Sequence, residues 1–141
     1  IESPVMRQAQ GKVAQATIEI RAYHRGNQTY IEVRDDGRGI DLEAIRQRLL
    51  ETKLVEAEQV PTLPPEQLYE YLFTPAFSTA SQVSELSGRG MGLETVRSQV
   101  KSLKGSISVT SEPGQGTLFT LKLPLTLTIA KLLVFAVNGK L

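Results

Sequence analysis

Two carboxylates and two glycines stand within five residues at Asp35-Asp36-Gly37-Arg38-Gly39. Gly88-Arg89-Gly90-Met91-Gly92-Leu93 follows later, and then Gly114-Gln115-Gly116-Thr117. Asp35 shares the alternation of Ile31 and Val33, which puts it on the apolar side of a strand. A carboxylate there is costly unless a donor meets it. The exocyclic amine of adenine is such a donor, and a fixed carboxylate favours it over guanine, which carries an oxygen at that position. Gly37 and Gly39 let the backbone pass close under a flat base. The second segment opens a helix, where free amides and the positive helix end suit phosphates. Thr117 has the parity of Phe119, Leu121 and Leu123, so its hydroxyl can complete the base contact begun by Asp35. Taken singly, the three segments also read as a strand-ending turn, a hinge without ligand and a strand threonine. Their order and combination carry the expectation of a nucleotide site.

Other chemistries are excluded or disfavoured. The second segment has dinucleotide-fingerprint spacing, but loop-like residues rather than a strand precede it, which excludes a Rossmann site. No Lys-Ser or Lys-Thr pair follows the glycines, so it is not a Walker loop. The chain has no cysteine, which excludes disulfides and thiolate metal sites. His24 is the only histidine, so a multi-histidine metal site cannot form. It stands beside a turn and is expected at the surface. A net charge of +1 argues neither for nor against a nucleic-acid or membrane surface, and the lack of a basic stripe interleaved with aromatics argues against nucleic acid. The longest apolar stretch, residues 123–137, is too short and too polar to span a bilayer. No signal peptide opens the chain.

The elements that must position these residues follow from periodicity. At 141 residues, 40% hydrophobic and 22% charged, the chain can hold one domain with a real core. Residues 17–22 and 29–35 alternate around Arg25-Gly26-Asn27-Gln28, which predicts a β-hairpin. Asp41 is placed to cap a helix with Leu42, Ile45 and Leu49 on one face. A Pro-rich break over residues 60–65 leads to a short helix opened by Pro65 and carrying Leu68 and Leu72. Residues 74–89 look like a mobile loop. A helix over 92–104 aligns Leu93, Val96, Val100 and Leu103, and Gly105 is expected to stop it. Strands are predicted over 106–110 and 117–123, and residues 132–137 resemble a strand leading into an Asn138-Gly139 turn. The fold class is α+β, with helices over a mixed or antiparallel sheet rather than a doubly wound parallel one.

Together the three segments resemble the ATP-binding domain shared by gyrase, the heat-shock chaperone of ninety kilodaltons, sensor histidine kinases and MutL, the GHKL (Bergerat) group. Four stretches narrow this to the chemotaxis-type, CheA-like histidine kinase. They are Phe73-Thr74-Pro75-Ala76-Phe77-Ser78-Thr79, Ser87-Gly88-Arg89-Gly90-Met91-Gly92-Leu93, Ser111-Glu112-Pro113-Gly114-Gln115-Gly116-Thr117 and Leu121-Lys122-Leu123-Pro124-Leu125-Thr126. The resemblance implies a two-layer α/β sandwich with helices on one face of a mixed sheet and its N-terminal helix missing. It divides the chain into an ATP-binding domain, 1–124, and the start of a CheW-like regulatory domain, 125–141. It implies ATP as cofactor, with Asp35, Gly37, Gly39 and Thr117 at the base and Gly88, Arg89, Gly90, Met91, Gly92 and Leu93 at the phosphates. Residues 73–87 match the lid.

In such kinases the γ-phosphate passes to a histidine on a separate domain. The implied partners are that phosphoacceptor domain, a response regulator, a CheW-type coupling protein and chemoreceptors, within a cytoplasmic homodimeric parent. The family's asparagine for Mg2+, and the acid, base and cationic residues beside it, lie on a helix that would precede Ile1. No catalytic or metal residue is therefore assigned, and the fragment by itself is expected to bind nucleotide weakly and transfer phosphate poorly. A nucleotide-binding or docking module without kinase activity is the alternative. A DNA machine of gyrase or MutL type is disfavoured by residues 73–79 and by the lack of a basic groove.

Overall fold

In a computed structural model, residues 1–75, 77 and 92–125 are described. The chain opens on α1 (Pro4–Ala9), a helix that no periodicity foretold. The Ser3 hydroxyl accepts the Met6 amide at 3.4 Å and Pro4 occupies the first turn, both ordinary start signals. The expected hairpin follows as β1 (Ile18–Arg25) and β2 (Gln28–Asp35), joined at Gly26-Asn27. Next comes α2 (Leu42–Thr52), whose first turn is capped by the Asp41 carboxylate accepting the Glu43 and Ala44 amides at 3.0 and 3.1 Å. A 3-10 turn at Val60–Thr62 fills the Pro-rich break and α3 (Pro65–Tyr71) starts at Pro65. The remaining elements are α4 (Leu93–Ser102), β3 (Ser106–Glu112) and β4 (Gly116–Pro124).

The sheet order is β1-β2-β4-β3, and all three pairings are antiparallel. Register aligns Ile20, Val33, Phe119 and Val109 in one row across the four strands. Helices α2, α3 and α4 cover the face that carries Val109. Ile45 and Leu49 of α2, Leu68 and Tyr69 of α3, Phe73, Phe77 and Val109 form the core, with Ile107 and Phe119 packed against it. Arg97 ties α4 to α3, pairing with Glu70 at 2.7 Å and lying 5.3 Å from the Phe73 ring centre. This is the two-layer α/β sandwich, with helices on one face of the sheet.

Two details of α4 depart from expectation. Val100 is buried and Leu93 is half-buried, but Val96 and Leu103 are exposed, because only one side of the apolar stripe meets β3. The residue that takes the left-handed conformation at the helix end is Lys104, at φ 56°, not Gly105. The Gly105 amide reaches back to the Val100 carbonyl at 2.9 Å and the Lys104 amide to the Lys101 carbonyl at 2.8 Å, which closes the helix as a Schellman motif.

Candidate functional site

Asp35 is the last residue of β2, paired with Ile18 of β1 and half-buried. Its Oδ1 accepts the Gly37 amide at 2.8 Å, which fixes the carboxylate plane. From there the chain turns through Gly39, at φ 81°, where a Cβ would stand 2.6 Å from the Glu112 carbonyl. Gly116 at φ 111° lies directly against the Asp35 carbonyl, and a side chain there would collide with it. Both positions require glycine, for conformation and for space.

The first and third glycine segments are stitched together. The Gly114 amide donates to the Arg38 carbonyl at 2.8 Å, and the Ile40 amide to Ser111 Oγ at 2.8 Å. Ser111 Oγ donates to the Gly116 carbonyl at 2.9 Å and lies 3.3 Å from Thr117 Oγ1. A serine hydroxyl has one proton. With that proton on Gly116, the hydrogen between the two hydroxyls comes from Thr117, whose own oxygen keeps its acceptor capacity. Thr117 is buried, at 7% exposure. Tyr69 Oη donates to the Ser111 carbonyl at 3.2 Å, and burial raises the Tyr69 pKa above its ordinary value. Beside this cluster a cavity of about 600 Å³ is bounded by Ile40, Leu42, Tyr69, Val109, Ser111 and Thr117. It has the volume of a small-molecule site. The cavity wall reaches Gly116 and Thr117 but not Asp35, which adjoins it through the Gly116 backbone.

Of the second segment, Gly88, Arg89, Gly90 and Met91 lie outside the described residues. Gly92 is exposed and extended and leads into α4 as a cap residue without a side chain, and among the described residues no side-chain cap is made to the first amides of that helix. Leu93 packs against the core. His24 is exposed as expected, its Nδ1 3.0 Å from Thr29 Oγ1.

Sequence reasoning passed over two groups. Ser111 has the parity of Ile107 and Val109, and a hydroxyl on an apolar strand face was a readable signal. The second group is charged and lies under the Asp35–Gly37 turn, where Arg7 is 1% exposed and pairs with Asp36 at 2.9 Å. The Thr17 amide, then the Arg7 guanidinium, holds the Asp36 carboxyl below its ordinary pKa. Glu2 is likewise lowered, first by a backbone amide and then by Lys12. Nothing in the local pattern marks Arg7, whose helix has only six residues. Among the described residues no group of three or more His, Cys, Asp or Glu side chains could hold a metal ion, and no helix is long and apolar enough to cross a membrane.

The family described as histidine kinase-, DNA gyrase B-, and HSP90-like ATPase matches residues 5–127. The chain is 45% identical over 134 residues to the chemotaxis protein CheA of Bacillus subtilis, covering 95% of this chain and 20% of that protein. It is 45% identical over 134 residues to the gliding motility regulatory protein of Myxococcus xanthus, covering 95% of this chain and 17% of that protein. It is 40% identical over 140 residues to CheA of Halobacterium salinarum, covering 99% of this chain and 21% of that protein. The chain thus spans about a fifth of the length of these relatives. Among solved structures, the nucleotide-free catalytic domain of histidine kinase ThkA superposes with a TM-score of 0.50 at 18% identity, covering 86% of this chain and 63% of that one. That likeness concerns the fold alone.

Proposed function

The chain belongs to the histidine kinase-, DNA gyrase B-, and HSP90-like ATPase family, and from that premise we propose that it is the ATP-binding catalytic unit of a chemotaxis-type histidine kinase. The observation that carries the reading is that the hydrogen-bonded Asp35–Gly37 turn packs through Gly39 and Gly116 against the hydrogen-bonded Ser111, Gly116 and Thr117 at the edge of a cavity. The residues present fit adenine. With Oδ1 engaged by Gly37, Asp35 offers Oδ2 to an exocyclic amine. A guanine carbonyl there would face a carboxylate with no proton between them. Thr117 adds a second, buried acceptor. Residues 88–92 and the uncapped start of α4 supply amides for the phosphates. ATP brings a transferable γ-phosphoryl group, and the residues of this chain hold and orient it.

In the parent protein the acceptor is a histidine on a separate domain; His24, at the exposed hairpin end, does not serve. Mg2+ would accompany the triphosphate; the described residues hold no group of three or more His, Cys, Asp or Glu side chains to ligate it. Residues 1–124 form the ATP-binding unit and 125–141 begin a CheW-like regulatory domain. A coupling protein, chemoreceptors and a response regulator are the partners of a cytoplasmic, homodimeric parent. The relatives named CheA support this reading.

The test is Asp35→Asn, with ADP and ATP binding followed by calorimetry in the full-length protein. An asparagine whose single oxygen stays on the Gly37 amide turns its NH2 toward the ligand amine, donor against donor. Adenine-nucleotide binding should fall at least about tenfold, the value of one hydrogen bond to a charged group, with the fold intact. Unchanged affinity would remove Asp35 from the site.

A further inference from the structure

The two neighbouring aspartates at the tip of β2 do opposite things. Asp35 lies on the sheet face that carries the cavity. Asp36 turns away into a charged knot built from the chain's first seventeen residues. Arg7 commits all five of its N–H groups there. Nε donates to the Val13 carbonyl at 2.9 Å, and Nη1 to the Asp36 carbonyl and Oδ1, both at 3.1 Å. Nη2 donates to Asp36 Oδ2 at 2.9 Å and to the Gln15 carbonyl at 3.4 Å. Lys12 commits all three of its ammonium protons, to Glu2 Oε1 at 3.2 Å and to the carbonyls of Asp36 and Gly37 at 2.9 and 2.8 Å. No donor on either cation is left over for a ligand.

What the knot grips is chiefly backbone. In a trans peptide the carbonyl and the following N–H point in opposite directions. Two cations holding the Asp36 carbonyl on one side therefore aim the Gly37 N–H to the other, and there it meets Asp35 Oδ1 at 2.8 Å. Gly37 has no side chain to hinder this, and a Cβ would stand 2.7 Å from that same oxygen.

Resting on the reading of Asp35 as the purine contact, we propose that Lys12 and Arg7 are positioning residues, which orient the Asp35 carboxylate through the Asp36–Gly37 peptide without touching the nucleotide. Their removal frees that peptide to rotate. The carboxylate then loses its fixed plane, and recognition of the purine amine suffers before other contacts do. A residue that merely supported the fold would weaken all nucleotides alike.

The experiment compares ADP with the diphosphate of purine riboside, which lacks the amine, by calorimetry on the full-length protein. The preference for ADP over the analogue is the readout. In Lys12→Met this preference should shrink about tenfold, the value of one hydrogen bond to a charged group, with affinity for the analogue nearly unchanged. Arg7→Lys, which keeps the charge but loses the planar fork, should shift it in the same direction and serves if Lys12→Met fails to fold. Asp35→Asn is the control. If it abolishes the preference while both cation variants keep it, or lose both ligands by one factor, the positioning role is overturned and the site reading stands. If Asp35→Asn keeps the preference, the site reading falls and this proposal with it.

Discussion

The two edges of the sheet carry the same pattern and meet different fates. Ile18 and Ile20 of β1 alternate as Ile107 and Val109 of β3 do, and register puts Ile20 and Val109 in one row on one face. Val109 is 9% exposed beneath α3 and α4, whereas Ile20 is 69% exposed. Alternation decides which way a side chain points; only a covering element turns that direction into burial and hence into stability. The site lies one row further along, with Ile18 beside Asp35 and Ser111 beside Thr117. It straddles the seam between the open and covered halves. Asp35 is half-buried for that reason.

The largest effect should come from equal truncations on either side of the seam. Ile45→Ala, at a fully buried position of α2, should lower the unfolding free energy of this chain by about 2–5 kcal/mol through lost transfer energy and a residual cavity. Ile20→Ala should stay within about 0.5 kcal/mol. Urea unfolding of the two variants decides it, and comparable losses would break the distinction between the halves.

At the seam itself, Ser111→Ala should lower stability by about 1–3 kcal/mol, because it leaves the Ile40 amide without its partner in a half-buried place. It also frees the Thr117 hydroxyl from its fixed donor role. Slower amide exchange at Ile40 in the variant, instead of faster, would show that another acceptor holds that group.

How far the sequence disclosed this arrangement follows the same division between direction and cover. The hairpin, the Asp41 cap, the start at Pro65 and the parity of Asp35 and Thr117 are local, set by residues within a turn or a strand of each other. They were legible. The exposure of Val96, Leu103 and Ile20 was not, because it depends on what lies above those residues. The Arg7–Asp36 pair joins residues 29 apart and the Ile40–Ser111 bond residues 71 apart, and no periodicity encodes such pairs. Of the site, the strand-tip carboxylate and its glycines were readable from the sequence. The means of holding them still were not.

The charged knot adds a pH signature. The Asp36 carboxyl titrates below its ordinary 3.8 in the folded chain, so between the folded and unfolded pKa values the unfolded chain binds more protons. The stabilisation is therefore complete above about pH 4 and is lost as pH falls through the folded value. Asp36→Asn should flatten the acid limb of the unfolding midpoint plotted against pH, leaving the neutral and alkaline limbs parallel to the original. An acid limb of unchanged slope would show that Asp36 contributes nothing to it.

The smallest effect belongs to the opposite, solvent-facing side of the open half. There Tyr23 stacks on Tyr30 with ring centres 5.3 Å apart, and its hydroxyl donates to Glu32 at 2.7 Å. That hydrogen bond, more than the desolvation that accompanies it, raises the Tyr23 pKa above its ordinary 10.0. Glu32→Gln should bring the ionisation back down, as read by the ultraviolet difference spectrum of tyrosinate with Tyr23→Phe as the blank. The unfolding midpoint at neutral pH should not move, because an exposed contact exchanges one well-solvated partner for another. A clear loss of stability with no change in the titration would mean that Glu32 acts through the backbone ladder of β2, and that this open half is held together from its outer face after all.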